Sequence, residues 1–289
     1  MPELPEVEVV KRSLEKVINH QTIKEIKINN SNLRYKVKKR EINRIIGLKI
    51  LKIDRRSKYL LFFFDKSIVM IVHLGMTGKF FIIRKNNIKE KTSFYYDIDQ
   101  NIIDKHNHIE FIFKNKIRLI YNDVRRFGFI KFDSVKSIKK NSHLKLLGPE
   151  ALSNLFNFQY FKKYLSCKKR NIKDILMDQK FVSGLGNIYV NEILFYSKVK
   201  PSRSTDRLKD FEIIKIIKNT KKILKKAISA GGSSIKDFSG LSGIKGSFQQ
   251  HFSVYGRKGC KCVNFDCKKI VKKIVLKGRA TFFCSKCQK

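Results

Sequence analysis

Acidic residues are scarce in this chain of 289 residues: 24 Asp and Glu stand against 64 Lys and Arg, for a formal net charge of +40. So few carboxylates leave the cationic field uncompensated, which points to a polyanionic partner, nucleic acid first and an anionic membrane second. Proline and alanine are also sparse while Lys, Ile, Asn and Phe are frequent, the mark of an AT-rich genome, so part of the charge is compositional. Drift of that kind seldom removes so many acids, and nucleic acid remains the expected partner. Long apolar runs are missing too. Nothing approaches the roughly eighteen consecutive apolar residues of a membrane span, and the N-terminus lacks the apolar core of a signal peptide. A soluble, cytosolic protein is expected. Cysteine is nearly absent from the body of the chain: Cys167 stands alone and the other five fall in the last thirty residues. In a reducing compartment that excludes a disulfide framework and favours a metal site.

The stretch Met1-Pro2-Glu3-Leu4-Pro5-Glu6-Val7-Glu8 is what the rest is organised around. Removal of Met1 before a small residue leaves Pro2 as a secondary amine with three carboxylates close behind it. An α-amino group titrates near 7.7–8.0, so roughly a tenth is neutral and nucleophilic at pH 7, against a few in ten thousand for lysine. A secondary amine that attacks a sugar carbon gives an iminium with no N–H proton to lose, and so an electron sink that persists for elimination. Glu3 is placed to donate or relay a proton, and Glu6 to hold the turn by accepting backbone N–H bonds. The same residues also suit an ordinary helix start, with Pro in the first turn and acids at the positive end of the dipole.

The length and a 42% hydrophobic content allow one large domain or two smaller ones. Residues 5–18 carry Val7, Val10, Leu14, Val17 and Ile18 at helical spacing. Strand patterns follow at Ile26 and Ile28; Leu48, Ile50 and Ile53; Tyr59 to Phe64; Ile68 to Leu74; Phe80 to Ile83; Ile109, Phe111 and Phe113; and Ile117, Leu119 and Tyr121. These predict a β-sandwich or barrel. Residues 86–107 read as a long surface loop. Gly148-Pro149 marks a boundary, beyond which helices are expected at 153–166, 171–178, 188–197 and 207–229, with a Gly/Ser-rich interruption from Gly231 to Gly246.

Several motifs carry chemistry. Lys58, in Arg55-Arg56-Ser57-Lys58-Tyr59, sits beside an apolar run that would anchor its amine. His73-Leu74-Gly75-Met76 is a strand leading into a turn that presents Met76, and Asn122 to Gly128 presents Arg125, Arg126 and Phe127. Exposed apolar groups beside a guanidinium suit a wedge that replaces an extruded base. Ser183 to Asn187 precedes a helix, where glycines admit a phosphate and Asn187 adds a donor. Cys260, Cys262 and Cys267, then Cys284 and Cys287, flank a β-type stretch and fit tetrahedral zinc in a ribbon. Cys284 and Cys287 form one knuckle. Cys260 and Cys262, with one residue between them, are a tight fit as two ligands of one metal, since alternate residues of an extended segment lie about 6.6 Å apart along it. The expected ligands are therefore Cys262, Cys267, Cys284 and Cys287, with Cys260 a spare thiol. Four thiolates leave no open position, so the zinc is structural and fixes the hairpin that bears Arg279, a good phosphate ligand.

Taken in order, Pro2 to Glu8, Lys58 in its Arg-Arg-Ser-Lys-Tyr-Leu context, His73 to Met76, Arg125 to Gly128, Gly186-Asn187-Ile188-Tyr189 and the terminal cysteines resemble the bacterial formamidopyrimidine-DNA glycosylases from end to end. Leu4 favours this purine-repair branch over the sister endonuclease VIII family, which has Gly there. The resemblance implies an α+β, two-lobed protein: an N-terminal β-sandwich flanked by helices (1–134), a linker (135–150), a helix–two-turn–helix domain (151–252) and a zinc-finger β-hairpin (253–289), with DNA between the lobes. It implies a bifunctional DNA glycosylase/AP lyase that excises oxidised purines (8-oxoguanine and formamidopyrimidines) from duplex DNA. Pro2 would attack the sugar C1′, Glu3 would assist as proton donor, Lys58 would contact phosphate and aid β-elimination, and Arg279 would serve δ-elimination. His106, Arg125 and Lys168 match DNA-contacting positions, with His73 and Asn187 alongside, while Met76, Arg125 and Phe127 match the void-filling wedge. Residues 233–248 match a loop that covers the flipped base. One structural zinc ion per chain, a damaged double-stranded DNA partner, a monomeric state and a bacterial cytosolic, nucleoid-associated location complete the expectation. The sequence departs from the family pattern in the four residues between Cys262 and Cys267, in Val124 where proline is usual, and in the long 86–107 segment. A pyrimidine-directed enzyme of the endonuclease VIII type and a non-catalytic DNA-binding module are the competing readings.

Overall fold

The computed structural model describes residues 1–84, 89–91, 104–166, 168–233 and 248–289. They form two compact units, one of Met1–Lys145 together with the stretch that begins at Ala230, the other of Leu146–Ser229 and Phe248–Lys289.

The first unit opens with helix α1 (Leu4–Ile18) and strand β1 (Ile23–Ile28), then a single helical turn α2 (Lys39–Ile42). Strands β2 (Ile50–Arg56), β3 (Tyr59–Phe64), β4 (Ile68–His73), β5 (Gly78–Ile83), β6 (Lys89–Lys91), β7 (Asn107–Phe113), β8 (Arg118–Asp123) and β9 (Phe129–Ser134) follow. They make two antiparallel sheets, ordered β1-β7-β8-β5-β6 and β2-β3-β4-β9. Their facing sides share one core of Ile53, Leu60, Phe62, Met70, Val72, Phe80, Ile109, Phe111 and Tyr121, on which α1 lays Val7, Val10, Leu14 and Ile18. Phe62 and Phe80 meet edge to face across the two sheets at 6.1 Å. The sandwich expected from alternating apolar residues is therefore present. Two strands were not expected: β6, which pairs with β5 inside the segment read as a loop, and β9, which completes the second sheet against β4. The rest of that loop, apart from residues 104–107, lies outside the described residues.

The second unit is helical, with α3 (Phe158–Leu165), α4 (Ile172–Met177), α5 (Asn187–Tyr196) and α6 (Asp210–Ser229) before the hairpin β10 (Val271–Leu276) and β11 (Arg279–Cys284). α3 starts five residues later than its apolar spacing suggests because Asn157 caps it, accepting the Tyr160 N–H at 2.9 Å. α5 is mostly apolar and almost wholly buried, as a central helix should be, with Asn191 and Glu192 its buried polar residues.

Candidate active site

α1 begins in a reciprocal capping box, so the N-terminal segment has one defined path. The Glu3 N–H donates to Glu6 Oε2 at 2.8 Å, and the Glu3 carboxylate accepts from the Glu6 N–H. Pro2 is buried, and Glu3 and Glu6 are 3% and 2% exposed. Glu6 uses its other oxygen on the distant Ser233, accepting both the N–H and the hydroxyl at 3.0 Å. Gly232 makes this approach possible: it has φ +83°, and a Cβ there would lie 3.3 Å from Glu6 Cγ. No local sequence signal announces a contact across 227 positions, and Ser233 was not anticipated as a support of the active end.

Lys58 is the second residue of the two-residue turn between β2 and β3, and it is only 6% exposed. Ser57 ahead of it takes φ +56°. That turn is held by Arg55, whose guanidinium donates to the Ser57 carbonyl at 2.9 Å and to Glu8 Oε2 of α1 at 2.8 Å. One guanidinium thus ties the helix bearing Pro2 and Glu3 to the turn bearing Lys58. Burial works against the Glu8 charge, but Arg55 and Arg12 hold its carboxyl below the usual carboxylate range.

His73 closes β4. Its ring stacks on Phe129 at 5.5 Å, and its Nδ1 accepts the Gly75 N–H at 3.0 Å. Burial, helped by the nearby Lys58 and Arg34 charges, pulls its pKa down to about 4. The ring is therefore neutral at physiological pH, with its proton on Nε2. Partial desolvation, and then the charges of Lys105 and other neighbours, also lower His106, which ends a short helical turn. Met76 is half-buried, Phe127 is 45% exposed, and the Arg125 guanidinium lies 4.6 Å from the Phe127 ring centroid. The expected wedge residues thus stand in two turns that open to solvent.

In the second unit, Lys168 rests its ammonium 3.2 Å from the Tyr164 ring centroid. Asn187 is the first residue of α5, but one of its amide N–H bonds is committed to the Ala280 carbonyl at 3.0 Å rather than to open space. The buried Lys173 donates to the same carbonyl at 3.0 Å and to Thr281 Oγ1 at 2.7 Å, and Asn191 Oδ1 accepts the Phe282 N–H at 2.7 Å. Arg279, exposed at the start of β11, is thus carried by a strand pinned along its length to α4 and α5. On the other side of α5, Glu192 accepts the N–H groups of Ser253, Val254 and Tyr255 at 2.8–3.0 Å, fixing the entry to the ribbon.

The ribbon brings together Cys262, Cys267, Cys284 and Cys287, whose sulfurs all lie within 4.8 Å of one another, while Cys260 is exposed outside the group. Pairs of thiolates on a tetrahedral zinc with bonds near 2.3 Å are about 3.8 Å apart. The Cys262–Cys287 and Cys267–Cys284 sulfurs stand 3.8 and 3.5 Å apart. A buried four-cysteine cluster that can hold a metal ion is present, and the longer Cys262–Cys267 loop accommodates it. Residues 234–247, which contain nearly all of the expected base-covering loop, and Cys167 lie outside the described residues.

Comparison with known proteins gives a consistent result. Residues 1–130 match the family model of the formamidopyrimidine-DNA glycosylase N-terminal domain, and residues 147–239 that of the formamidopyrimidine-DNA glycosylase H2TH domain. The formamidopyrimidine-DNA glycosylases of Dinoroseobacter shibae and Rickettsia bellii are 38% and 39% identical to this chain, in each case over all of both chains. Among solved structures, the wild-type Lactococcus lactis enzyme in complex with a DNA containing N7-benzyl-Fapy-dG is 35% identical, with a TM-score of 0.84 over all of both chains. The same organism's enzyme with an abasic-site DNA is 34% identical, with a TM-score of 0.82 over 99% of each chain.

Proposed function

Since this chain belongs to the formamidopyrimidine-DNA glycosylase family, we propose how its residues divide the labour of a DNA repair glycosylase with AP lyase activity. The observation that carries the reading is the N-terminal segment: Pro2 and Glu3 are buried and held by a capping box, with Lys58 buried at a turn tied to the same helix. Once Met1 is removed, the neutral fraction of the Pro2 amine attacks C1′ of an oxidised purine nucleotide while the base departs with the glycosidic electrons. Glu3 supplies the proton that the opening sugar requires. The resulting iminium acidifies the adjacent C2′–H bond, and loss of that proton expels the 3′-phosphate. Lys58 binds phosphate near this step, and His73, as a neutral Nε2–H donor, accompanies it. Arg279 serves the second elimination. Arg125, His106, Lys168 and Asn187 contact the DNA backbone or bases, and Met76 and Phe127 fill the space left by the extruded nucleotide.

The four cysteines hold one zinc ion, which when bound supplies only rigidity, since four thiolates close its coordination shell. None of the helices among the described residues is long and apolar enough to cross a membrane, and we read the chain as a monomer that works on chromosomal DNA in the bacterial cytosol. Borohydride trapping on a duplex containing 8-oxoguanine tests the assignment: the protein should become covalently attached through residue 2. Pro2→Gly should lose trapping and strand cleavage together, and Glu3→Gln should lose base excision while keeping DNA binding. Trapping and cleavage at the normal rate by Pro2→Gly would place the nucleophile elsewhere.

A further inference from the structure

The two turns that bear Met76 and Arg125–Phe127 are separate in sequence but joined in space. One leads from β4 into β5, the other from β8 into β9, so each crosses between the two sheets. They meet at Gly78 and Asp123, which pair across β5 and β8. The Asp123 carboxylate is fully buried. One of its oxygens accepts the Thr77 hydroxyl; the other accepts the Gly128 N–H at 2.8 Å and the Tyr121 hydroxyl at 3.4 Å. Thr77 in turn accepts the Arg125 N–H at 3.0 Å, so its hydroxyl bridges the two turns as donor and acceptor at once. His108 Nε2 bonds the Asp123 carbonyl at 2.8 Å. Beyond this cluster the backbones touch: Gly75, at φ +63°, packs so closely on Phe127 and Gly128 that a Cβ there would overlap them.

Resting on the wedge reading above, we propose that Thr77 and Asp123 are positioning residues that lock the Met76 turn and the Arg125–Phe127 turn into one rigid piece, which enters the base stack as a unit. Two independent loops would each lose conformational freedom on insertion, whereas a pre-joined pair has already lost it in folding. The hydroxyl at position 77 therefore sets the rate of base extrusion without touching DNA.

Thr77→Val keeps the shape of the side chain and removes the bridge, leaving a buried carboxylate and the Arg125 N–H each short of a partner. Single-turnover excision of 8-oxoguanine, with stopped-flow fluorescence of a neighbouring 2-aminopurine to time extrusion, should slow by about tenfold, the effect of about 1.4 kcal/mol. Cleavage of a preformed abasic site, which has no base to expel, should stay within about twofold of the unmodified protein. Thr77→Ser retains the hydroxyl and should restore extrusion. In the unmodified background, truncations of Met76 and Phe127 to Ala should be non-additive, and in Thr77→Val they should become additive. Equal losses on both substrates, or a Thr77→Val protein that matches Thr77→Ser, would overturn the proposal. If truncating Met76 and Phe127 leaves extrusion unchanged, the wedge reading itself fails, a result distinct from failure of the lock.

Discussion

A histidine ordinarily titrates near 6.5, and His73 departs from that. Its Nδ1 is an acceptor of the Gly75 N–H, and burial beside Lys58 and Arg34 brings its pKa to about 4. Because the folded value lies below the ordinary 6.5, the unfolded chain takes up the proton first. This group therefore contributes full stability above pH 6.5 and loses it as pH falls from 6.5 toward about 4. Ring resonances of His73 in NMR should stay constant from about pH 8 down to about pH 5, with the proton on Nε2 throughout. A midpoint near 6.5 would instead make it an ordinary titrating histidine. The sequence placed His73 at a strand end beside a turn, but the tautomer follows from a hydrogen bond two residues on, and the lowered pKa from burial and charges contributed by other elements. Neither is visible in a string of residues.

At the scale of elements, the strands and helices with a strong local pattern were legible. α1 falls where helical spacing put it, and β3 and β4 where unbroken apolar runs put them. β9 was missed because Phe129 and Ile130 are both buried and the remaining four residues are only partly so, which leaves no alternation to detect. β6 has three residues and is defined by its partner. The ribbon is the opposite case, since cysteine spacing selected the four cysteines that the structure gathers into one cluster. Replacing Cys260 by Ser should leave one zinc per chain by metal analysis and full strand cleavage. Cys262→Ser should lose both, because the hairpin that carries Arg279 would lose its far-end anchor. Zinc retained in Cys262→Ser and lost in Cys260→Ser would mean that the ribbon closes through Cys260.

For the molecule as a whole, a net charge of +40 means that affinity for DNA is dominated by counterion release. Binding to undamaged duplex should be measurable at low salt and fall with a log–log slope near −0.9 per phosphate neutralised. Lys168→Ala should flatten that slope by about one unit if its ammonium takes a phosphate. An identical slope, read by fluorescence anisotropy across a salt series, would remove Lys168 from the interface. Composition conveyed this term at once. Composition was silent on Ser233, whose bond to Glu6 depends on the whole chain having folded back on its beginning.

That return has a consequence for how the polypeptide can be divided. Because Ala230 to Ser233 belong with the first unit, the chain leaves that unit after Lys145 and comes back to it after Ser229. A protease that nicks the backbone between residues 145 and 146 would therefore not yield two free halves. The downstream piece would keep Ser233 plugged onto Glu6 of the upstream piece, like a clasp whose two sides sit on different lengths of the same ribbon. Conversely, residues 1–145 made alone would lack the two Ser233 donors that Glu6 accepts at the start of α1. The first unit of this protein is not a continuous segment of its sequence.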